Sequence, residues 1–260
     1  EELSGKPLKI KPIDDTKKIQ VSYKPPKNVL LYGSHALETN IDVKSTVDVL
    51  IVLPDDFLLR SDYSNQIYQQ KRALYLSHVA RKLREKVTLG GNVKIVNFKN
   101  DPLKPVIQLE AEEFTITISA APSENFFKLN RFIPQTNNIK LKDEEQSATP
   151  HNNFSLIFDC TIEKNQQFLE AELKNHENVK SAIKLLKIWL HQREFDAGFY
   201  GLNGFLVTYY LLHMLKSKKI YPTMSCYQII RLFWNQFGHS QLEIKGISLC
   251  TEKDLPNQPA

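Results

Sequence analysis

Five positions in the first half of the chain have the side chains and spacing of phosphoryl-transfer chemistry. Residues 29–32 (V-L-L-Y) read as an apolar strand that stops at Gly33-Ser34. An eleven-residue connection follows, and then residues 47–53 (V-D-V-L-I-V-L) form a second apolar strand carrying Asp48. A Gly-Ser pair at a strand end lets backbone N–H groups approach phosphate. Carboxylates on alternate positions of the next strand point to one face and share two divalent cations. Together these features would hold a nucleoside triphosphate for nucleotidyl transfer.

The metal half of that layout needs Asp-x-Asp. In the window T-V-D-V-L, Asp48 is the lone acid, with Thr46 two positions before it and Leu50 two after. The third carboxylate would come from a neighbouring strand, for which residues 114–119 (F-T-I-T-I-S) are the candidate. The polar face of that segment supplies Thr115, Thr117 and Ser119, which are poor ligands for a hard cation when neutral. Asp42 lies in the connection, and Asp55 and Asp56 lie beyond Pro54, off the alternation. Two cations carry about four positive charges about 3.5–4 Å apart, more than one carboxylate can neutralise. Gly33, Ser34, Thr46, Asp48 and Thr115 therefore outline a vestigial nucleotide site, and no metal or other cofactor is expected. No G-x-S-x-G, Walker, G-x-G-x-x-G or H-E-x-x-H motif offers different chemistry.

A second set of residues could bind rather than react. Lys180, Lys184, Lys187 and His191 fall within about 60° of one another on a helical wheel, opposite an apolar stripe of Val179, Ala182, Ile183, Leu186, Trp189 and Leu190. Read plainly, this is a solvated helix face. Read functionally, it offers three ammonium groups to an RNA phosphate backbone, with salt-sensitive and sequence-poor affinity.

The elements that must position these residues follow from the pattern. Residues 1–28 are Lys- and Pro-rich and read as an extended lead-in. Residues 61–86 lack Gly and Pro and read as a helix capped by Ser61 or Asp62. Its apolar residues go nearly all round, so it should be packed on more than one side, with its basic residues snorkelling outward. After a Gly90-Gly91 turn come three strand segments, 93–98, 105–109 and 114–119, the last with Phe114, Ile116 and Ile118 toward the core. The expectation is a mixed α/β sheet domain over 29–123, a polar loop or linker over 134–153, and an all-α domain over 154–250. Within the latter, residues 198–204 read as a turn, Asn203 should cap one helix, and Ser225-x-x-Gln228 should form a capping box for another.

Composition narrows the rest. The formal net charge of +5 permits a nucleic-acid partner without requiring one. Cys160, Cys226 and Cys250 are odd in number and form no C-x-x-C, which fits a reduced, intracellular setting, and no cysteine or histidine pair has zinc-ligand spacing. No apolar run is long enough for a membrane span. The start at Glu1 without Met, and the loop-like end, read as a piece of a longer polypeptide.

Several motifs occur in a telling order. They are G-S-x-x-L-x-T (Gly33–Thr39), V-D-V-x-I-x-L-P (Val47–Pro54), D-Y-x-N-x-x-Y-x-x-K-R-A-x-Y-L-x-H-x-A (Asp62–Ala80) and L-L-K-I-W-L-H-Q-R-E-F-D-A-G-F-Y-G-L-N-G-F-L (Leu185–Leu206). With T-M-S-C-Y-Q at Thr223–Gln228 and K-G-I-S-L at Lys245–Leu249, the sequence resembles the Nrap family, nucleolar RNA-associated proteins. The resemblance implies a nucleotidyltransferase-like domain followed by a helical domain like those of poly(A) polymerase and CCA-adding enzymes, here as the N-terminal portion of a longer chain. It also implies a non-catalytic scaffold of the small-subunit processome in the nucleus and nucleolus, acting in ribosomal RNA maturation. Its partners would be pre-ribosomal RNA and processome proteins. Two other readings stand beside it. One is an active template-independent nucleotidyltransferase; the other is a protein-interaction module without RNA contact.

Overall fold

The period-two segments of the first half pair into one five-stranded sheet. In the computed structural model the strands are β1 (Asn28–Tyr32), β2 (Ser45–Val52), β3 (Asn92–Asn97), β4 (Pro105–Glu110) and β5 (Phe114–Ala121). Their order is β1-β2-β5-β4-β3. β2 and β5 run parallel at the centre, while the other neighbours are antiparallel. The structure describes residues 19, 21–41, 45–86, 92–98, 101–111, 113–139, 147–196, 201–242, 246–247 and 249. Most of the lead-in, Asp42, the Gly90-Gly91 turn, residues 198–200 of the second turn, and Lys245 and Cys250 lie outside these residues.

Contacts divide the chain into two units, Glu1–Ala36 with Lys44–Gln167, and Leu37–Val43 with Phe168–Ala260. In the first, the short helical turn α1 (Gly33–Ala36) follows β1, and α2 (Ile67–Lys86) packs on the sheet. Ile51, Ile107, Leu109 and Ala120 line the sheet side of this core, with Tyr68, Tyr75, Leu76 and Ala80 from α2. Phe114, Ile116 and Ile118 face it as their alternation requires. The core does not stop where the alternation ends at Ala121. Phe126, Phe127 and Phe132 join it, as do Leu156 and Cys160 of α3 (Pro150–Leu173).

Two expectations for this unit need correction. The helix begins at Ile67 rather than at Ser61, because Asn65 and Gln66 hold φ of 55° and 57°, in the left-handed region that a right-handed helix excludes. Asp62 caps no helix. Its Oδ2 accepts from the Leu59 amide and from the Lys71 ammonium, each at 2.7 Å. As expected, α2 is packed on several sides, but Lys71 and Arg72 do not snorkel: both are buried in ion pairs.

The polar stretch over 134–153 is also more ordered in its described parts than its composition suggests. Asn138 and Asn153 are buried, and their amides bond to each other at 2.8 Å. Asn138 Nδ2 also donates to the Arg131 carbonyl, and Asn153 Nδ2 donates to those of Ile133 and Thr136. Amides enter an interior when every donor finds an acceptor, which composition alone cannot reveal.

The second unit is helical. α4 (Glu177–Gln192), α5 (Gly204–Lys216) and α6 (Cys226–Gly238) surround a core of Val179, Ile183, Leu186, Leu211, Met214 and Phe233. Asn203 Oδ1 accepts from the Leu206 amide at the start of α5, and Ser225 with Gln228 completes a reciprocal capping box on α6. Leu37 reaches this core from the segment that follows α1.

Candidate functional site

The sheet brings Thr46, Asp48 and Thr115 onto one face. Tyr32 and Thr117 flank Asp48 across the ladder, and Thr46 sits beside Thr115. These residues share one face of the sheet. Gln108 and Glu110 of β4 join it, opposite Thr117 and Thr115, a neighbourhood that strand pairing creates and local sequence does not announce. Glu110 pairs with Lys94 at 3.2 Å. Where a two-cation centre needs a cluster of carboxylates, the row beside Asp48 consists of threonines. Among the described residues no three His, Cys, Asp or Glu side chains stand together to hold a metal. The donor set does not fit a divalent pair, so no step is routed through one.

The Gly-Ser end of the site is engaged from within. Gly33 has φ of +74°, and a Cβ there would lie 2.6 Å from Oδ2 of Asp48. Only glycine allows both the backbone conformation and the approach of that carboxylate. The Gly33 N–H donates to Oε1 of Gln166 at 2.9 Å. Ser34 is the second residue of the one-turn helix α1. Beside Asp48, Ser119 donates to the Tyr32 hydroxyl at 3.1 Å, and burial pushes the Tyr32 pKa up to about 12. A cavity of about 100 Å³ lies here, lined by Tyr32, Asp48, Arg72, Lys104, Ser119 and Asp159 among others.

α3 supplies the residues that sequence reasoning missed. Asp159 accepts from the Arg72 guanidinium and, at 3.0 Å, from the Tyr68 hydroxyl. Arg72 also donates to the Pro105 carbonyl, tying α2, α3 and β4 together. Arg72 and Tyr68 are fully buried, and the Tyr68 hydroxyl is held well above its usual range, first by desolvation and then by the Asp159 charge. Local sequence carries no signal for this pair, because α2 has seven charged residues and α3 five, and nothing in either helix singles out Arg72 or Asp159.

On α4 the lysines do not form one solvent-facing row. Lys180 is buried, and its ammonium bonds Glu38 at 2.5 Å and Glu177 at 2.9 Å. Lys187 donates to the Thr39 carbonyl at 2.8 Å, and its stem fills the space a Cβ on Gly204 would need. Lys184 is half-buried, while His191 is exposed beside Asp196. The segment through Glu38 and Thr39 runs along the edge the wheel assigns to lysine. The face left exposed carries Ser181, Leu185, Ile188 and Gln192 instead.

Comparison with known proteins accords with this architecture. The family model for Nrap protein domain 1 matches residues 6–175, and that for the Nrap protein PAP/OAS-like domain matches residues 178–260. Nucleolar protein 6 of Drosophila mojavensis is 33% identical over 243 residues, covering 88% of this chain and 20% of its own length. Nucleolar protein 6 of Xenopus laevis is 33% identical over 255 residues, covering 92% and 22%. The chain thus spans about a fifth of the length of the curated relatives it matches. Among solved structures, terminal uridylyl transferase 4 from Trypanosoma brucei with bound dUTP superposes with a TM-score of 0.51 at 15% identity, covering 82% of this chain and 62% of that one. That likeness is one of fold, a mixed-sheet nucleotidyltransferase-like domain followed by helices, as the sequence leads one to expect.

Proposed function

The chain belongs to the Nrap protein family, and from that premise we propose that it is a non-catalytic, RNA-associated part of the nucleolar small-subunit processome. Its role is architectural: a degenerate nucleotidyltransferase fold that helps to organise pre-ribosomal RNA and processome proteins during ribosomal RNA maturation, in the nucleus and nucleolus. One observation carries the non-catalytic reading. The strand pairing that would assemble a metal centre is intact, yet it places threonines beside Asp48, and the Gly33 amide is already bonded to Gln166.

RNA contact, in this reading, falls to α4. The basic groups offered there are the half-buried Lys184 and the exposed His191, with exposed Arg193 just beyond the helix, while buried Lys180 and half-buried Lys187 bond the segment beside them. Such contacts neutralise phosphate and release counterions, so binding should weaken steeply with salt.

The test is incubation of the purified chain with labelled nucleoside triphosphates, Mg²⁺ or Mn²⁺, and an RNA primer. No extension is expected. Template-free extension that disappears in Asp48→Asn would overturn the proposal in favour of an active enzyme. Crosslinking to RNA that is unchanged when Lys184 and Arg193 are both replaced by Glu would move the RNA contact away from α4.

A further inference from the structure

The cavity beside Asp48 has a size and a lining that suit a ligand other than a nucleoside triphosphate. Its volume is about 100 Å³, well below the roughly 300 Å³ at which pockets for drug-sized ligands begin. A single six-membered ring is the right scale, since an enclosed apolar cavity of about 150 Å³ takes benzene. This one is not enclosed, because Phe98 lines it and is 42% exposed. Phe98 and Phe158 offer aromatic rings, and buried Leu50, Val106 and Ala121 line the cavity with them. The polar lining offers donors. Ser119 donates to the Tyr32 hydroxyl, which leaves the Tyr32 proton for an acceptor. Arg72 bonds Asp159 and the Pro105 carbonyl through its terminal nitrogens, and its buried Nε–H has no acceptor in the protein. The Asp48 and Asp159 carboxylates disfavour an anion in this space, while Arg72 and Lys104 disfavour a cation. A neutral, flat ring bearing carbonyl oxygens satisfies every one of these conditions.

We propose that this cavity receives one unpaired pyrimidine base of an RNA strand. The ring packs against the aromatic side chains, and a base carbonyl accepts from Tyr32. The sugar and phosphate stay outside, near Lys104, whose ammonium lies 4.1 Å from the centre of the Phe158 ring. The second ring of a purine exceeds the space. The proposal rests on the reading of the chain as RNA-associated, and it gives the first unit a contact of its own. The site needs no metal, so the threonines beside Asp48 do not impair it.

The probes are the RNA oligomer A-A-U-A-A, the same oligomer with an abasic centre or a central adenine, and uridine monophosphate. Each is titrated into the isotopically labelled chain without divalent cations and followed by NMR. A-A-U-A-A should shift Tyr32, Ser119 and Ile162, and should bind at least ~10-fold more tightly than the abasic and adenine oligomers. Ala121→Val, which fills the cavity, should abolish that preference. Phe98→Ala, at an exposed position that lets the variant fold, should remove most of it. Thermal unfolding checks that both variants are folded. Equal affinity for the three oligomers, or a preference that Phe98→Ala retains in full, would overturn the proposal. So would uridine monophosphate binding as tightly as A-A-U-A-A, because the cavity would then belong to a free nucleotide. Equal affinities that fall together when Lys184 and Arg193 are both replaced by Glu would overturn this site and leave the α4 contact standing. Binding of no oligomer would overturn both.

Discussion

The Gly33–Asp48 corner of the first unit and the lysine edge of α4 in the second were both legible as functional spacing, and both have been drawn into the fold by different means. In the corner, pairing of adjacent strands sets Thr46, Thr115 and Thr117 beside Asp48, so threonine stands where a two-cation centre would need carboxylate. On α4 the composition is right and the surroundings are not. Lys180 and Lys187 have the charge to meet phosphate, but a segment from far upstream accepts their hydrogen bonds. A strand motif can therefore be judged from its own residues, whereas a helix face cannot be judged until its neighbours are known.

Three substitutions sharpen or break this contrast. The largest effect should come from Asp159→Ala. It leaves the Arg72 guanidinium buried without its counter-charge, and a loss of about 3–5 kcal/mol is expected from chemical denaturation followed by far-ultraviolet circular dichroism. A loss within the range of an ordinary surface change would mean that the corner is not braced through α3.

Gly33→Ala comes next. Its left-handed φ alone costs an L-residue about 1–2 kcal/mol, and the overlap with Asp48 adds to that. In an Asp48→Ala background the overlap term should vanish, leaving a coupling of about 1 kcal/mol between the two positions. Strict additivity would show that glycine is kept for its backbone conformation alone.

The smallest effect belongs to the lysine edge. Hydrogen bonding to Lys180, and then its charge, hold the Glu38 carboxyl below its ordinary value. A depressed folded-state pKa contributes stability above the unfolded value, about 4.3 for glutamate, and that contribution is lost as pH falls through the folded value. Tryptophan fluorescence reports this unit, since Trp189 and Trp234 are the two tryptophans of the chain. The unfolding midpoint of Glu38→Gln should therefore lie slightly below that of the parent at neutral pH, with the gap closing below pH ~4. A gap that persists in acid would detach the effect from the Lys180–Glu38 pair.

Residues close in sequence determined a good deal by themselves. Alternation placed the strands, with Phe114, Ile116 and Ile118 inward, and the Asn203 cap and the Ser225–Gln228 box each fall where a three-residue offset put them. The lone carboxylate on β2 was visible for the same reason, because a strand's faces are set by parity. Tertiary structure alone decided which polar groups are spent inside the fold. Arg72 meets Asp159 across 87 residues, Gly33 meets Gln166 across 133, Lys180 meets Glu38 across 142, and Lys187 meets Thr39 across 148. A charge or amide two elements from its partner has the same local sequence whether it faces water or a buried acceptor. Its state is settled only when folding brings the two together and takes water away.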